Sequence, residues 1–290
     1  MIELAERQGK VLPAGGEAVL GLDPTFLGAL GRLGLGFILV AVWALIRGRR
    51  RSLADDAQRT MARLGRPLRV EGAERVPTTA PFILVGNHFQ APGLWVGWVA
   101  LAISAAVAEV REAGGRDLHW LAISEWRWFE VAGRWVPNPL TSLLFPRAYA
   151  VWGLVPTPAN PADVAGRARA LRQMIAYLGK PSAATPRASE AIALFPEGEA
   201  TTGLQEARPG TGAFLERISS RGVPLLPVGI YLEGETLVIR FGQPFALTAP
   251  AGVDREERDD WARERVMVSI GRLLPRRLWG FYAEAIAKDG

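Results

Sequence analysis

The chain has 290 residues, of which 49% are hydrophobic, so it can bury a sizeable core as one large domain or as one domain with an appendage. It contains no cysteine, which excludes disulfides, thiolate catalysis and thiolate metal sites. The net charge is +5, but the arginines are dispersed among acids, apart from a cluster at 47–51. This distribution argues against nucleic-acid binding.

An apolar segment near the N-terminus runs from Phe26 to Ile46 and is interrupted once, by Arg32. Its uninterrupted part, 33–46, is shorter than the roughly 20 residues that span the hydrocarbon core of a bilayer. Three interpretations fit: an interfacial helix, a single span that includes Arg32, and a buried helix. The arginine-rich sequence 47–51 follows directly and suits an anionic surface, which favours membrane association.

The rest of the chain alternates between strand-like and helix-like patterns, which predicts an α/β domain with a mixed central sheet and flanking helices. We assign residues 1–51 to a tail and a membrane-associated helix, and 52–290 to this single layered domain. Helices are predicted at 52–64, 94–110, 161–178, 212–220, 254–273 and 276–286. Strands are predicted at 68–72, 82–85, 119–123, 151–155, 191–195, 224–231 and 237–241.

Asn87 and His88 stand at the end of the apolar strand 82–85, just before a Pro-Gly break that opens a helix. In α/β folds, strand ends of this kind usually carry the chemistry. Histidine is also the side chain best suited to moving protons near neutral pH. Taken alone, the motif favours an ordinary loop histidine, but two later stretches change this interpretation.

The first of these stretches, Phe-Pro-Glu-Gly at 195–198, also follows a buried strand, although Pro and Gly occur in any turn. The second, Arg-Pro-Gly-Thr-Gly at 208–212, precedes a predicted helix. Free backbone amides at that helix start, next to Arg208, make a candidate anion site.

Taken in order, Asn87-His88, the sequences at 195–198 and 208–212, and Pro-Leu-Leu-Pro-Val at 224–228 resemble the glycerolipid (PlsC-type) acyltransferase family, which includes lysophosphatidic acid acyltransferases. The resemblance implies transfer of a fatty acyl group from acyl-CoA or acyl carrier protein to a hydroxyl or amine of a glycerolipid-like acceptor. It also implies that the reaction takes place at the cytoplasmic face of the cell membrane and needs no metal and no bound cofactor.

By the same resemblance, His88 is the catalytic general base. The candidate substrate-binding residues are Asn87 beside it, Glu197 and Gly198 in the acceptor-side turn, and Arg208 where the family often has a basic residue before its Gly-Ala helix.

The chain departs from the family pattern at the fifth position after the histidine, where Gly93 replaces an aspartate. That carboxylate would orient the imidazole, and by analogy with serine proteases its loss can cost about four powers of ten in rate. Glu197, Glu199 and Glu125 are candidate substitutes. The alternatives are a slow enzyme and a catalytically inactive lipid- or acyl-binding protein that retains the fold.

Two arginines of the family pattern are also missing. Glu199 and Ala200 stand where the family has Thr-Arg, and the middle block at 153–158 lacks its arginine. Arg147 and Arg208 are possible replacements. Our hypothesis is that the acceptor lacks a terminal phosphate monoester.

Overall fold

The computed structural model describes residues 33–92, 94, 96–111, 115–124, 127–131, 134–158, 163–179, 190–250, 252 and 254–289. The helices in these ranges are α1 (Leu35–Arg47), α2 (Leu53–Leu64), α3 (Val96–Val110), α4 (Pro139–Trp152), α5 (Val164–Tyr177), α6 (Thr211–Ser219), α7 (Arg255–Gly271) and α8 (Ala283–Asp289). The strands are β1 (Leu68–Glu71), β2 (Ile83–Gly86), β3 (Leu118–Ile123), β4 (Arg127–Val131), β5 (Arg134–Pro137), β6 (Val155–Thr157), β7 (Ala191–Leu194), β8 (Leu225–Glu233) and β9 (Thr236–Phe241).

Seven of these strands form one sheet in the order β1-β9-β8-β2-β7-β3-β6. All neighbouring pairs are parallel except β8 and β9, which are antiparallel. The mixed sheet and the α/β class are therefore as predicted. Because β8, β2 and β7 run in the same direction, the segments that follow β2 and β7 leave the sheet at one common edge.

The sheet has an apolar core on each face. Ile83 and Val85 of β2 point to one face, where they share a cluster with side chains of α5, α6 and α7. Leu84 points to the other face and shares its cluster with α2 and α3. This alternation follows from the two-residue period of a strand, and burial on both faces explains why β2 is continuously apolar.

The structure corrects the prediction for the segment 125–157. The predicted strand at 151–155 is wrong, because α4 continues to Trp152 and the strand β6 begins only at Val155. Between them Gly153 has a φ of +68°, a left-handed conformation that suits glycine and ends the helix. The strands β4 and β5 pair as a separate antiparallel hairpin, which the aromatic sequence did not reveal.

The N-terminal helix α1 has 13 residues, and six of its large apolar side chains are exposed, whereas Phe37, Ile38 and Leu45 are half-buried. Within the ranges that the structure describes, no helix is long and apolar enough to cross a bilayer. The beginning of the apolar segment, at Phe26, lies outside those ranges. Membrane association and the boundary between 1–51 and 52–290 therefore remain predictions.

Asn87 joins β2 to β8 beyond the last residue of β2. Its side-chain amide donates to the carbonyl oxygen of Ile230 at 2.8 Å and accepts from the Ile230 N–H at 2.7 Å. Asn87 is only 4% exposed, so water cannot readily replace these bonds. The asparagine thus continues the sheet hydrogen bonding up to the residue before His88.

We expect Asn87→Ala to lower the free energy of unfolding by about 2–4 kcal/mol, because it leaves two buried polar groups of Ile230 unsatisfied. Urea unfolding of the full chain measures this loss. Gln90→Ala, an exposed change three residues away, is the matched control. Equal stabilities of the two variants would show that the bonds to Ile230 contribute nothing.

Candidate active site

A buried carboxylate connects the ends of two neighbouring parallel strands. Glu197, which follows β7, accepts a hydrogen bond from the backbone N–H of His88, which follows β2, at 2.7 Å. Its second oxygen accepts from the backbone N–H of Gln205, also at 2.7 Å. Since Glu197 is only 4% exposed, these two amides replace the water that the carboxylate has lost. We call this arrangement the Glu197 clamp.

The loop at 198–207 pairs with the chain around His88. Thr201 donates its N–H to the carbonyl oxygen of His88 at 2.9 Å, and Gln90 donates its N–H to the carbonyl oxygen of Thr201 at 2.8 Å. The backbone of His88 is therefore held at both its N–H and its carbonyl group.

The same loop is fixed from behind by the C-terminal part of the chain. Leu204 donates its N–H to the carbonyl oxygen of Leu278 and accepts from the N–H of Phe281, both at 2.9 Å. Tyr282 accepts at its hydroxyl from the N–H of Ala207 at 3.0 Å. Because Leu204 is fully buried, these bonds make the C-terminal segment part of the support of the site.

The His88 ring is held by stacking. It lies on the ring of Phe195, with centroids 4.7 Å apart and planes 10° from parallel. Phe195 in turn contacts Trp120, with a centroid distance of 4.8 Å. The Nδ1 atom of His88 is buried and has no hydrogen-bond partner among the described residues.

Burial lowers the pKa of His88 from its usual 6.5 to about 4, because the charged imidazolium would lose its hydration. A hydrogen bond to the backbone of Glu199 acts in the opposite direction, and the positive charge of Arg208 lowers the pKa further. The imidazole is therefore neutral at pH 7 and able to accept a proton.

Burial acts on the carboxylate in the opposite sense and raises the pKa of Glu197 to about 7. The two amides of the clamp, from Gln205 and His88, favour the charged form but only partly offset the effect of burial. Glu197 consequently changes its protonation near neutral pH.

The described carboxylates do not take over the orienting role of the missing aspartate. Glu197 contacts the backbone of His88, and the carboxylate of Glu199 pairs with Arg208 at 3.2 Å. Gly93 and Glu125, the other two positions in question, lie outside the described residues.

Gly198 lies between the clamp and Arg208. Its φ of +68° suits glycine, and a Cβ atom there would come within 2.3 Å of the Arg208 Nε. Arg208 donates to the Gly198 carbonyl oxygen at 3.3 Å. The glycine therefore allows the guanidinium to approach the turn next to His88.

The amides predicted as an anion site bind an anion of the protein itself. Asp259 of α7 accepts from the N–H of Gly210 at 2.8 Å and from the N–H of Ala213 at 2.7 Å. These bonds cap the start of α6 and fasten it to α7. Nothing in the local sequence pairs residue 259 with this helix start, so the contact was missed.

The structure thus brings four of the predicted site residues together: His88, Glu197, Gly198 and Arg208. Both ends of the Asn87 side-chain amide engage Ile230, which places Asn87 in the support of the site. Arg147 lies on α4, where its guanidinium donates to the carbonyl oxygen of Leu143 at 3.0 Å.

No protein-family model matches this chain, and no curated protein matches it. Among solved structures, it is similar to the crystal structure of PlsC, the 1-acyl-sn-glycerophosphate (LPA) acyltransferase from Thermotoga maritima. The two share 18% sequence identity and a TM-score of 0.45, over 86% of this chain and 97% of that one.

We expect the contribution of Glu197 to stability to decrease as the pH rises. Its pKa of about 7 in the folded state lies above the ordinary 4.5, so the folded protein retains a proton that the unfolded chain has released. This contribution is fully present below pH 4.5 and is lost as the pH rises through about 7.

Unfolding of the wild type and of Glu197→Gln between pH 5 and pH 8 measures this loss, because the titration of His88 is common to both and cancels in the difference. The stability difference should fall by up to about 1.4 kcal/mol per pH unit below pH 7 and then level off. A difference that is independent of pH would show that Glu197 does not titrate in this range.

Proposed function

We propose that the protein transfers a fatty acyl group from a thioester donor, acyl-CoA or acyl carrier protein, to a hydroxyl or amine of a glycerolipid-like acceptor. The observation that carries the proposal is the placement of His88. A neutral imidazole stands at the carboxyl edge of the sheet with its backbone fixed on both sides, next to the turn and the arginine that the sequence motif specifies.

In the proposed reaction, His88 reacts as the tautomer with its proton on the buried Nδ1: its other ring nitrogen exchanges the hydrogen bond to the Glu199 backbone for the acceptor hydroxyl and accepts the hydroxyl proton as the oxygen attacks the thioester carbonyl carbon. A new carbon–oxygen bond forms, the carbon–sulfur bond breaks, and the imidazolium returns the proton to the departing thiolate. The products are an ester and a free thiol, or an amide and a thiol when the acceptor is an amine. General-base assistance of this kind typically contributes roughly a hundred- to ten-thousand-fold.

The Glu197 clamp acts through His88 and does not touch the reacting atoms in this proposal. Its role is to fix the backbone from which the imidazole projects, together with the pairing to Thr201. Small displacements of a catalytic group are costly in rate, which gives this support functional weight.

A second candidate function is non-catalytic binding of an acyl thioester or a lipid. The observation that favours it is the unpartnered Nδ1 of His88. Without a carboxylate that stabilises the imidazolium, the ring is a weak base, and the fold would then serve to hold a ligand rather than to transform it.

We expect His88→Ala to reduce acyl transfer by at least roughly a hundredfold, because the variant has no general base. Lipid mass spectrometry of the products, with acyl-CoA and a monoacylglycerol as substrates, measures the change. Protonation of His88 alone should lower the wild-type kcat/KM only below a pH of about 4, so a change in the profile near pH 7 reports the titration of Glu197.

Binding of acyl-CoA to the same two proteins separates the candidate functions. Retained binding with lost product formation supports acyl transfer by His88. If the wild type binds acyl-CoA and forms no acylated lipid, the protein is a binding protein. Equal product from wild type and His88→Ala would exclude His88 as the base.

We also propose that α1 binds the surface of an anionic membrane and so places the protein at the cytoplasmic face. Leu35, Leu39, Trp43 and Ile46 lie on one side of the helix at three- and four-residue spacing, and each is 47–73% exposed. The exposed arginines at 47, 49 and 50 follow at the end of this apolar stripe. Apolar contact combined with positive charge is the pattern of an interfacial helix.

Replacing Arg47 and Arg49 by glutamine should weaken binding to vesicles that contain anionic phospholipid by roughly 30-fold, at about 1 kcal/mol for each arginine. Co-sedimentation measures the binding. The matched control replaces Arg217 and Arg221, two exposed arginines near the end of α6, by glutamine. Equal losses in both double variants would mean that net charge, and not α1, drives the binding.

A further inference from the structure

Glu199 and Arg208 form an ion pair beside the His88 ring. The Arg208 guanidinium contacts the Glu199 carboxylate at 3.2 Å and the Gly198 carbonyl oxygen at 3.3 Å. The backbone of Glu199 is hydrogen-bonded to the His88 ring, and the charge of Arg208 acts on that ring, so the pair lies beside the group that the acceptor must reach in the proposed reaction.

The other positive groups near this edge also have internal anionic partners. The helix-start amides of α6 bind Asp259, and Arg263 pairs with Asp259 at 3.2 Å and with Glu206 at 2.9 Å. In the part of the chain that the structure describes, each of these positive groups therefore already has an anionic partner when a phosphate arrives.

A phosphate monoester carries a charge of nearly −2 at neutral pH and is bound in proteins by charge-assisted hydrogen bonds. To use Arg208 it would have to displace the Glu199 carboxylate and then remain close to that negative charge. A hydroxyl or an amine without phosphate requires no such displacement. The pair is exposed, with Glu199 81% and Arg208 53% accessible, so its effect is a graded preference and not an absolute barrier.

We propose that Glu199 determines acceptor specificity: its carboxylate neutralises Arg208 beside His88 and thereby selects lipid acceptors whose headgroup carries no phosphate monoester. This inference rests on the proposed acyl transfer and names the acceptor class for it. The residue acts by electrostatic competition for a guanidinium.

The test is the substitution Glu199→Gln, which keeps the size of the side chain and removes its charge. Inorganic phosphate is the probe, titrated into the full chain at constant ionic strength while the backbone amide signals of residues 198–208 are followed by NMR. We expect phosphate to bind Glu199→Gln about tenfold more tightly than the wild type, since one repulsive and competing charge is gone.

The matched control is Glu206→Gln, which removes the same charge from the same loop but frees no contact of Arg208. It should bind phosphate as the wild type does. Adding Arg208→Gln to Glu199→Gln should abolish the gain. Equal phosphate affinity of Glu199→Gln and Glu206→Gln would overturn the proposal.

An acylation competition between monoacylglycerol and lysophosphatidic acid gives a second readout. The product ratio should shift about tenfold towards the phosphorylated acceptor in Glu199→Gln, in parallel with phosphate binding. If product forms but the ratio and the phosphate affinity both stay unchanged, the specificity assignment fails while acyl transfer stands. If neither the wild type nor Glu199→Gln forms product, the proposed acyl transfer fails, and the phosphate titration still decides the role of Glu199.

Discussion

The site depends on a buried carboxylate that is satisfied by two backbone amides. Glu197 receives one hydrogen bond from His88 and one from Gln205, which belong to different segments of the chain. A carboxylate buried without such donors would cost several kcal/mol, so Glu197 can be buried because the two amides of the clamp bind it. Because the clamp joins the strand end before the imidazole to the loop after β7, any movement of that loop moves the backbone of His88.

The support continues outward in layers. The loop at 198–207 is held by the C-terminal turns through Leu204 and Ala207, and Asn87 holds the end of β2 against β8. The backbone of the candidate base is thus fixed by hydrogen bonds, whereas its ring is fixed by stacking on Phe195 and by one hydrogen bond to the backbone of Glu199. Stacking sets the plane of the ring but provides no acceptor for a proton on Nδ1.

The sequence predicted those features that local patterns encode. Continuous apolar runs identified β2 and β7, and the motif resemblance assigned His88 and Glu197, which follow these strands, to one site. The parallel pairing of β2 with β7, which explains why the two residues meet, was not predicted. The contact of Asp259 with the start of α6 was not predictable, since the pairing joins residues almost fifty positions apart. The helix α4 was misread near its end because the sequence 151–155 is apolar enough for a strand, and only tertiary packing decides between the two.

The low pKa of His88 has two opposite effects: it keeps the imidazole free to accept a proton, but it makes the imidazole a weak base. With a pKa of about 4, His88 is neutral throughout the physiological range and is always able to accept a proton. The same low pKa makes the proton gain unfavourable, because a general base works best when its pKa is close to the working pH. The clamp cannot correct this, since Glu197 contacts the backbone and not the ring. In the proposed reaction, the limit is therefore the buried Nδ1: a group that accepts a hydrogen bond there would stabilise the imidazolium, raise the pKa of His88 and strengthen the base, without any change to the backbone that the clamp holds in place.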